Sequence, residues 1–169
     1  LAVVLVPNVT QAVNKGRVAR MCAEFVSIAQ AMDMYLVDVG AYPLSANDRG
    51  IRTDVGLVDR AMVWPDHLSS WNGPYLKTWP DKTPWGGRRT PGCGWGSGVY
   101  LIWRLDNFIN RDGIDNNDYF VHTNSECVEF PQTINIELDK VLDDGNLASG
   151  NFQLSAGSTT GIVYYVGEK

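Results

Sequence analysis

The chain has 169 residues, a formal net charge of −5 and a hydrophobic fraction of 44%. This hydrophobic fraction excludes an intrinsically disordered chain, and the acidic balance argues against general binding to nucleic acid or to an anionic membrane surface. The length suits one domain, with or without a protruding element.

A long amphipathic helix is predicted at the start of the chain. Apolar residues recur at steps of three and four and form one stripe: Val18, Met21, Cys22, Phe25, Ile28, Ala29, Met32, Leu36 and Val39. Gly40 and Pro43 end the pattern. A single helix over residues 1–39 would be ~58 Å long, whereas a domain of this size is only ~30 Å across. Part of the helix is therefore expected to project beyond its own domain.

The first nine residues, LAVVLVPNV, are apolar apart from Asn8 and look like the trailing half of a longer hydrophobic segment. Such a helix end must be sheltered in lipid or against copies of itself, and head-to-tail copies that do not close a ring form a filament. Pro7 removes a backbone donor, which predicts a kink or a locally unwound stretch. The predicted filament-core residues are Leu1, Val4, Leu5, Pro7, Val9 and Val13.

The predicted organisation is a helix of residues 1–39, with 1–16 in a filament core and 17–39 on a sheet, followed by a globular head of residues 40–169. Residues 40–82 contain turn signals and either a short helix or an irregular segment near 54–62. Tryptophans beside proline or glycine in the same region suggest a packed loop with aromatic anchors. Strands and a short second helix follow. The fold class is therefore α+β: a long N-terminal helix on a small antiparallel sheet, with a loop-rich C-terminal region. The strands are predicted at 99–105, 119–123, 152–154 and 161–166, and the helix at 134–142.

The three cysteines, Cys22, Cys93 and Cys127, form no C-x-x-C pair and show no zinc-like spacing. Cys93 and Cys127 lie in glycine- or asparagine-rich, loop-like surroundings. This favours a disulfide between them in an oxidising compartment, with Cys22 left over. Three free, buried thiols are the alternative.

Oxygen-bearing side chains are dense around Gly113 and could hold calcium. An Asx-rich turn between two strands is the alternative interpretation. Residues 143–146, DDGN, are a weaker version of the same pattern and favour a turn. The candidate calcium ligands are Asn110, Asp112, Asp115, Asn117 and Asp118.

No catalytic residue and no enzymatic activity are predicted. His67 and His122 are the only histidines, and no serine or cysteine stands in a nucleophile-elbow context. Asp139, Asp143 and Asp144 could in principle do acid/base work, but a solvated helix end is the better interpretation. Apart from calcium, no cofactor is expected.

Three segments, in this order, resemble type IV pilins and the pseudopilins of type II secretion systems. Residues 1–9 resemble the second half of the N-terminal hydrophobic segment that these families share. Residues 33–43, DMYLVDVGAYP, resemble the exit from their long helix. Residues 71–76, WNGPYL, followed by PWG at 84–86, are similar to a loop of major pseudopilins.

The resemblance implies a structural subunit of a type IV pilus-like extracellular filament at the cell surface, built from identical subunits. A major pseudopilin, in a periplasmic pseudopilus anchored in the inner membrane, is the alternative. A minor or tip pilin that acts as a binding or adhesion module is the second alternative. The resemblance also implies assembly-machinery and minor pilin partners, residence in the inner membrane before assembly, and a calcium-binding loop near residues 110–118. The acidic charge leaves no nucleic-acid partner expected.

Overall fold

The computed structural model describes residues 2–45, 54–86, 98–104, 118–124, 132–155 and 161–168. Within these ranges, two helices and four strands form an α+β fold, as the sequence predicts. In the described part of the segment between the first helix and the first strand, two short 3₁₀ turns lie at Arg60–Met62 and Pro65–His67. The elements in chain order are α1 (Ala2–Val39), β1 (Leu101–Arg104), β2 (Asp118–Asn124), α2 (Gln132–Leu142), β3 (Phe152–Leu154) and β4 (Gly161–Glu168).

Helix α1 is 38 residues long and continues through Pro7 without interruption. The locally unwound stretch predicted there is absent, because a proline removes a single N–H donor while the bonds on either side can still hold the helix. Gly40 ends α1 with a φ of 79°, and its N–H donates to the Leu36 carbonyl at 2.8 Å. Within the described ranges, neither helix is long and apolar enough to cross a membrane.

The four strands form one sheet in the order β1-β2-β4-β3, and every neighbouring pair is antiparallel. Each strand overlaps one of the four apolar runs from which the sequence predicts a strand. A register shift between Tyr119 and Phe120 interrupts the pairing of β2 with β4. The short helix considered near residues 54–62 is reduced to the 3₁₀ turn at Arg60–Met62.

One face of the sheet packs on α1 and builds the main core. Along β2, Tyr119 and Val121 belong to this core, whereas Phe120 lies in a second cluster with Val163 and Tyr165. Alternate residues of a strand point to opposite faces, so the two clusters lie on the two faces of the sheet. The stripe predicted on α1 supplies the helix side of the main core.

Helix α2 packs against α1 through Ile134 and Leu138, which join the same core. The Cys22 thiol on α1 is free and buried. Its Sγ lies 4.0 Å from the Leu138 carbonyl oxygen, to which it donates a long hydrogen bond. Burial raises the pKa of this thiol to about 11. Cys22 therefore acts as a small apolar side chain in the contact between the two helices.

Candidate functional site: the exposed start of the long helix

Helix α1 changes character at Val18, the first of its described side chains to be buried. The preceding side chains, from 9 to 17, are exposed apart from Asn14, which is half-buried. Val9 is 59% exposed and Val13 is 47% exposed. Residues four apart lie on the same helix face, so these two valines form an apolar strip in solvent.

Glu24 fixes the rotation of α1 near the point where the helix leaves the head. Its carboxylate accepts from Arg20 Nε at 2.8 Å and from the Tyr100 hydroxyl at 2.6 Å. Tyr100 is fully buried, and burial followed by the bond to Glu24 raises its pKa. A buried tyrosine that stays protonated remains a donor, so this bond orients the exposed segment relative to the sheet.

Phe25 is the centre of the contact between α1 and the sheet. Its ring meets Tyr100 edge-on, with centroids 5.3 Å apart, and meets Phe152 edge-on at 5.7 Å. Tyr164 on β4 approaches at 6.0 Å with tilted planes. Edge-to-face pairs at these distances are favourable beyond the apolar area that they bury.

The other end of α1 is tied to the loop of residues 54–86 by tyrosines. The Tyr35 hydroxyl and His67 Nδ1 are 2.8 Å apart, and the Tyr75 hydroxyl donates to Asp38 Oδ2 at 2.9 Å. The Tyr75 ring also packs edge-to-face against the Trp71 ring, with centroids 5.9 Å apart. The segment 71–76, singled out in the sequence, therefore docks on the last turns of α1.

Tryptophans anchor this loop, as the sequence predicts. Trp71, Trp79 and Trp85 pack against the main core, whereas Trp64 is exposed. The Trp71 indole also donates to the Gly56 carbonyl at 2.7 Å. Most of these rings therefore serve core packing and do not form an open aromatic surface.

Sequence reasoning missed Asp54, which organises the start of the same loop. Its carboxylate accepts backbone N–H bonds from the four residues at positions 56–59, over distances of 2.6–3.0 Å. Gly56 within this turn has a φ of 98°, which favours glycine. An Asp two residues before a Gly is a turn signal, but it does not reveal that one carboxylate satisfies four donors.

The motif tyrosine of the helix exit, Tyr42, is buried beside the sheet. Its ring lies 4.6 Å from the Tyr119 ring, and its hydroxyl donates to Asp33 Oδ1 at 3.3 Å. Burial, with a smaller effect from Asp33, raises its pKa to about 12. A Cβ at Gly167 would collide with the Tyr42 hydroxyl, so β4 can approach this ring only through a glycine.

Several residues singled out in the sequence lie outside the described residues: Leu1, Cys93, Asn110, Asp112, Asp115, Asn117 and Cys127. The Cys93–Cys127 disulfide and the calcium loop at 110–118 therefore stay predictions. Asp118 is described: it begins β2, its backbone pairs with that of Glu168, and its side chain is buried. Val4, Leu5 and Pro7 belong to α1.

Both histidines take part in packing. His67 contacts Tyr35, as described above. His122 on β2 is buried, and its ring stacks on Trp103 with centroids 4.5 Å apart. Burial lowers the pKa of His122 to about 3, so this imidazole is neutral at ordinary pH.

The interpretation of Asp139, Asp143 and Asp144 as a solvated helix end is wrong for Asp139. Its side chain is 0% exposed, because α2 turns it toward the interior. One carboxylate oxygen from each of the three residues lies within 4.8 Å of the other two. The structure thus brings together three acidic groups, one of which is buried.

Comparison with known proteins gives one family match. The family model described as "PilW, C-terminal" matches residues 12–90, a little under half of the chain. No curated protein and no solved structure matches the chain significantly. The matched segment contains the packed part of α1 and the loop that docks on it. This match supports an association of the protein with type IV pili.

Proposed function

We propose that the protein is a structural subunit of a type IV pilus-like extracellular filament, assembled through its N-terminal helix. The observation that carries this proposal is the exposed start of α1, where Val9 and Val13 stand in solvent. The family match to residues 12–90 supports association with type IV pili.

The length of the helix explains why copies of the chain would pack together. Residues 2–17 of α1 extend over ~24 Å at ~1.5 Å per residue. The sequence of residues 2–6, AVVLV, is wholly apolar, and Val9 and Val13 continue the apolar character. An apolar helix surface of this extent gains free energy when other helices cover it.

The assembly that best fits a single projecting rod is a helical stack. Identical helices would bundle along the filament axis while the heads, which hold α1 through Glu24, Phe25 and Tyr75, face outward. Contacts between unlike surfaces of successive copies do not close a ring, and they generate a filament. Assembly-machinery and minor pilin proteins would be partners, with the subunit in the inner membrane before assembly and at the cell surface afterwards.

The proposal includes no catalytic role. The His67 ring contacts Tyr35 and the His122 ring stacks on Trp103, so both imidazoles are used in packing. A head of this kind acts as an outward-facing structural unit.

Electron microscopy of purified protein tests the proposal. We expect wild-type filaments with the N-terminal helices at the axis, and loss of filaments when Val9 and Val13 are both changed to Asp. The Val37→Asp variant is the matched control, because Val37 is 82% exposed on the packed half of the same helix. Filaments that persist in the Val9/Val13 double variant, or a wild type that stays monomeric at high concentration, would overturn the proposal.

The two related functions give different results in cells. A major subunit dominates the protein content of purified surface filaments, whereas a minor or tip subunit is a trace component. Deletion of a major pseudopilin of a type II secretion system instead abolishes export of folded proteins and leaves surface pili in place. The first two outcomes distinguish a major from a minor subunit of a surface filament, and the third assigns the helix-driven assembly to a pseudopilus.

A further inference from the structure

Three carboxylates converge where α2 ends. Asp139 lies in the last turns of the helix, and Asp143 and Asp144 follow its final residue. One oxygen of each carboxylate lies within 4.8 Å of the other two. Asp143 and Asp144 are accessible to solvent, so the cluster can exchange an ion with the surroundings.

Asp139 is the unusual member of this cluster. Its side chain is fully buried, and neither carboxylate oxygen has a donor within ordinary hydrogen-bond geometry in the described part of the chain, while the backbone N–H groups of Gly145 and Asp144 face it outside that geometry. A buried carboxylate without a partner is costly, and buried charges are normally paired or bound to a metal. Burial raises the pKa of Asp139, the carboxylates of Asp144 and Asp143 raise it further, and the backbone N–H groups of Gly145 and Asp144 offset only part of this rise.

The other two carboxylates are held in place by the turn that leads into β3. Asp143 Oδ2 accepts the backbone N–H groups of Asn151 and Phe152. Asp144 accepts from the Asn146 N–H at 2.7 Å and from the Ser149 hydroxyl at 2.8 Å. The two side chains therefore keep their positions near Asp139 instead of swinging apart into solvent.

The surroundings favour a positive ion. The end of a helix carries a partial negative charge on its free carbonyls, so three acidic groups there repel both it and one another. Among the residues that the structure describes, no lysine or arginine forms an ion pair with any of the three. Calcium binds carboxylate oxygens at about 2.4 Å, so ligands on opposite sides of one ion lie about 4.8 Å apart.

We propose that Asp139, Asp143 and Asp144 bind one calcium ion, which fastens the end of α2 to the turn before β3. Water completes the coordination, because calcium takes about six to eight oxygen ligands. This site is separate from the candidate at residues 110–118, and it does not depend on filament formation.

Calcium binding to the full chain tests this proposal after removal of metal with a chelator, at constant ionic strength. Titration with CaCl₂ in a calorimeter should show one ion per chain at this site, with a midpoint of about 10⁻⁴–10⁻³ M, the range of extracellular calcium modules. A tenfold excess over the dissociation constant should raise Tm by about 4 °C.

The Asp139→Asn variant keeps the shape of the side chain and removes its charge. We expect it to lose the calcium-dependent rise in Tm, while its metal-free form is at least as stable as the wild type because a repulsion is gone. The Asp144→Asn variant changes an accessible side chain and should fold normally but respond weakly to calcium. This second variant keeps the test valid if Asp139→Asn does not fold.

The Asp115→Asn variant is the matched control, since it alters the other candidate site. It should retain the full response of the cluster at the end of α2. The proposal is overturned if the wild type binds no calcium. It is equally overturned if Asp139→Asn or Asp144→Asn responds as the wild type does, or if Asp115→Asn alone removes the response.

Discussion

The two sides of the head hold α1 in different ways. On one side, Phe152 and Tyr164 of the backbone-paired sheet, together with Tyr100 just before β1, pack against Phe25. On the other side, the loop of residues 54–86 has no strand or long helix. It has scattered backbone bonds, such as those from the Tyr75 and Leu76 N–H groups to the Leu57 carbonyl, and several bonds made by single side chains. Asp54 is the clearest of these, because its carboxylate accepts four backbone N–H groups.

This difference determines how each side fails. Backbone pairing in the sheet does not depend on side-chain identity, so only a large change in the core should loosen that side. A loop without a continuous ladder of backbone bonds loses its shape locally when one organising side chain is removed, because several donors lose their acceptor together. A core mutation on the sheet side should therefore destabilise the whole domain, whereas a mutation in the loop should open only the loop.

The largest effect is expected at the sheet side. Phe25→Ala removes a fully buried ring in contact with three others, and we expect the free energy of unfolding to fall by about 3–5 kcal/mol. Chemical denaturation followed by circular dichroism measures this loss. Met34→Ala is the matched control, because Met34 is an exposed apolar residue of the same helix, and its free energy of unfolding should be nearly unchanged.

Equal losses in the two variants would contradict the central role given to Phe25. The same role would be contradicted if Phe25→Ala lowered the free energy of unfolding while hydrogen exchange in the strands stayed unchanged, since the ring would then not support the sheet.

A smaller, local effect is expected at the loop side. Asp54→Ala deprives four N–H groups of their acceptor, and we expect a loss of about 2–3 kcal/mol in the free energy of unfolding. Hydrogen exchange should rise at residues 56–59 and 71–76 while the strands stay protected. Asp81→Ala removes an exposed carboxylate of the same loop and should change neither quantity. Exchange that rises equally in the strands would show that the two sides are not separable.

The sequence predicts the sheet side well and the loop side poorly, for physical reasons. Helix α1 follows from its period of 3.6 residues, and strands β1–β4 follow from short, compact apolar runs, both of which can be read from the order of side chains. The bonds of Asp54 depend on a turn with positive φ at Gly56, and the periodicity of the sequence carries no signal for it. Tryptophan spacing predicts that the loop is packed, but it does not reveal which carbonyl or carboxylate each ring reaches.

The sequence predicts the projecting helix but not the acidic cluster at the end of α2. In α2, Val141 is 64% exposed and Asp139 is buried, whereas an apolar valine is normally expected inside and a carboxylate outside. Packing of Ile134 and Leu138 on α1 sets the rotation of this short helix and carries Asp139 inward. The length of α1 alone predicts a projecting rod, whereas the acidic cluster appears only when tertiary contacts are known.

Acid offers a third way to separate the two sides, because each contains one histidine. His122 lies in the sheet, and burial lowers its pKa to about 3, against 6.5 in the unfolded chain. The unfolded state therefore binds the proton more readily, so the stability present above pH 6.5 is lost progressively as pH falls toward 3. Between pH 7 and pH 5 this loss should amount to about 2 kcal/mol.

Denaturant titrations at several pH values measure this slope, and two variants assign it. His122→Gln is neutral at every pH and should show a much flatter dependence between pH 7 and pH 5. His67→Gln changes the histidine of the loop side, which contacts Tyr35, and should keep the dependence of the wild type. An unchanged profile in His122→Gln would contradict the assignment, because the acid sensitivity would then not come from the burial of this imidazole in the sheet.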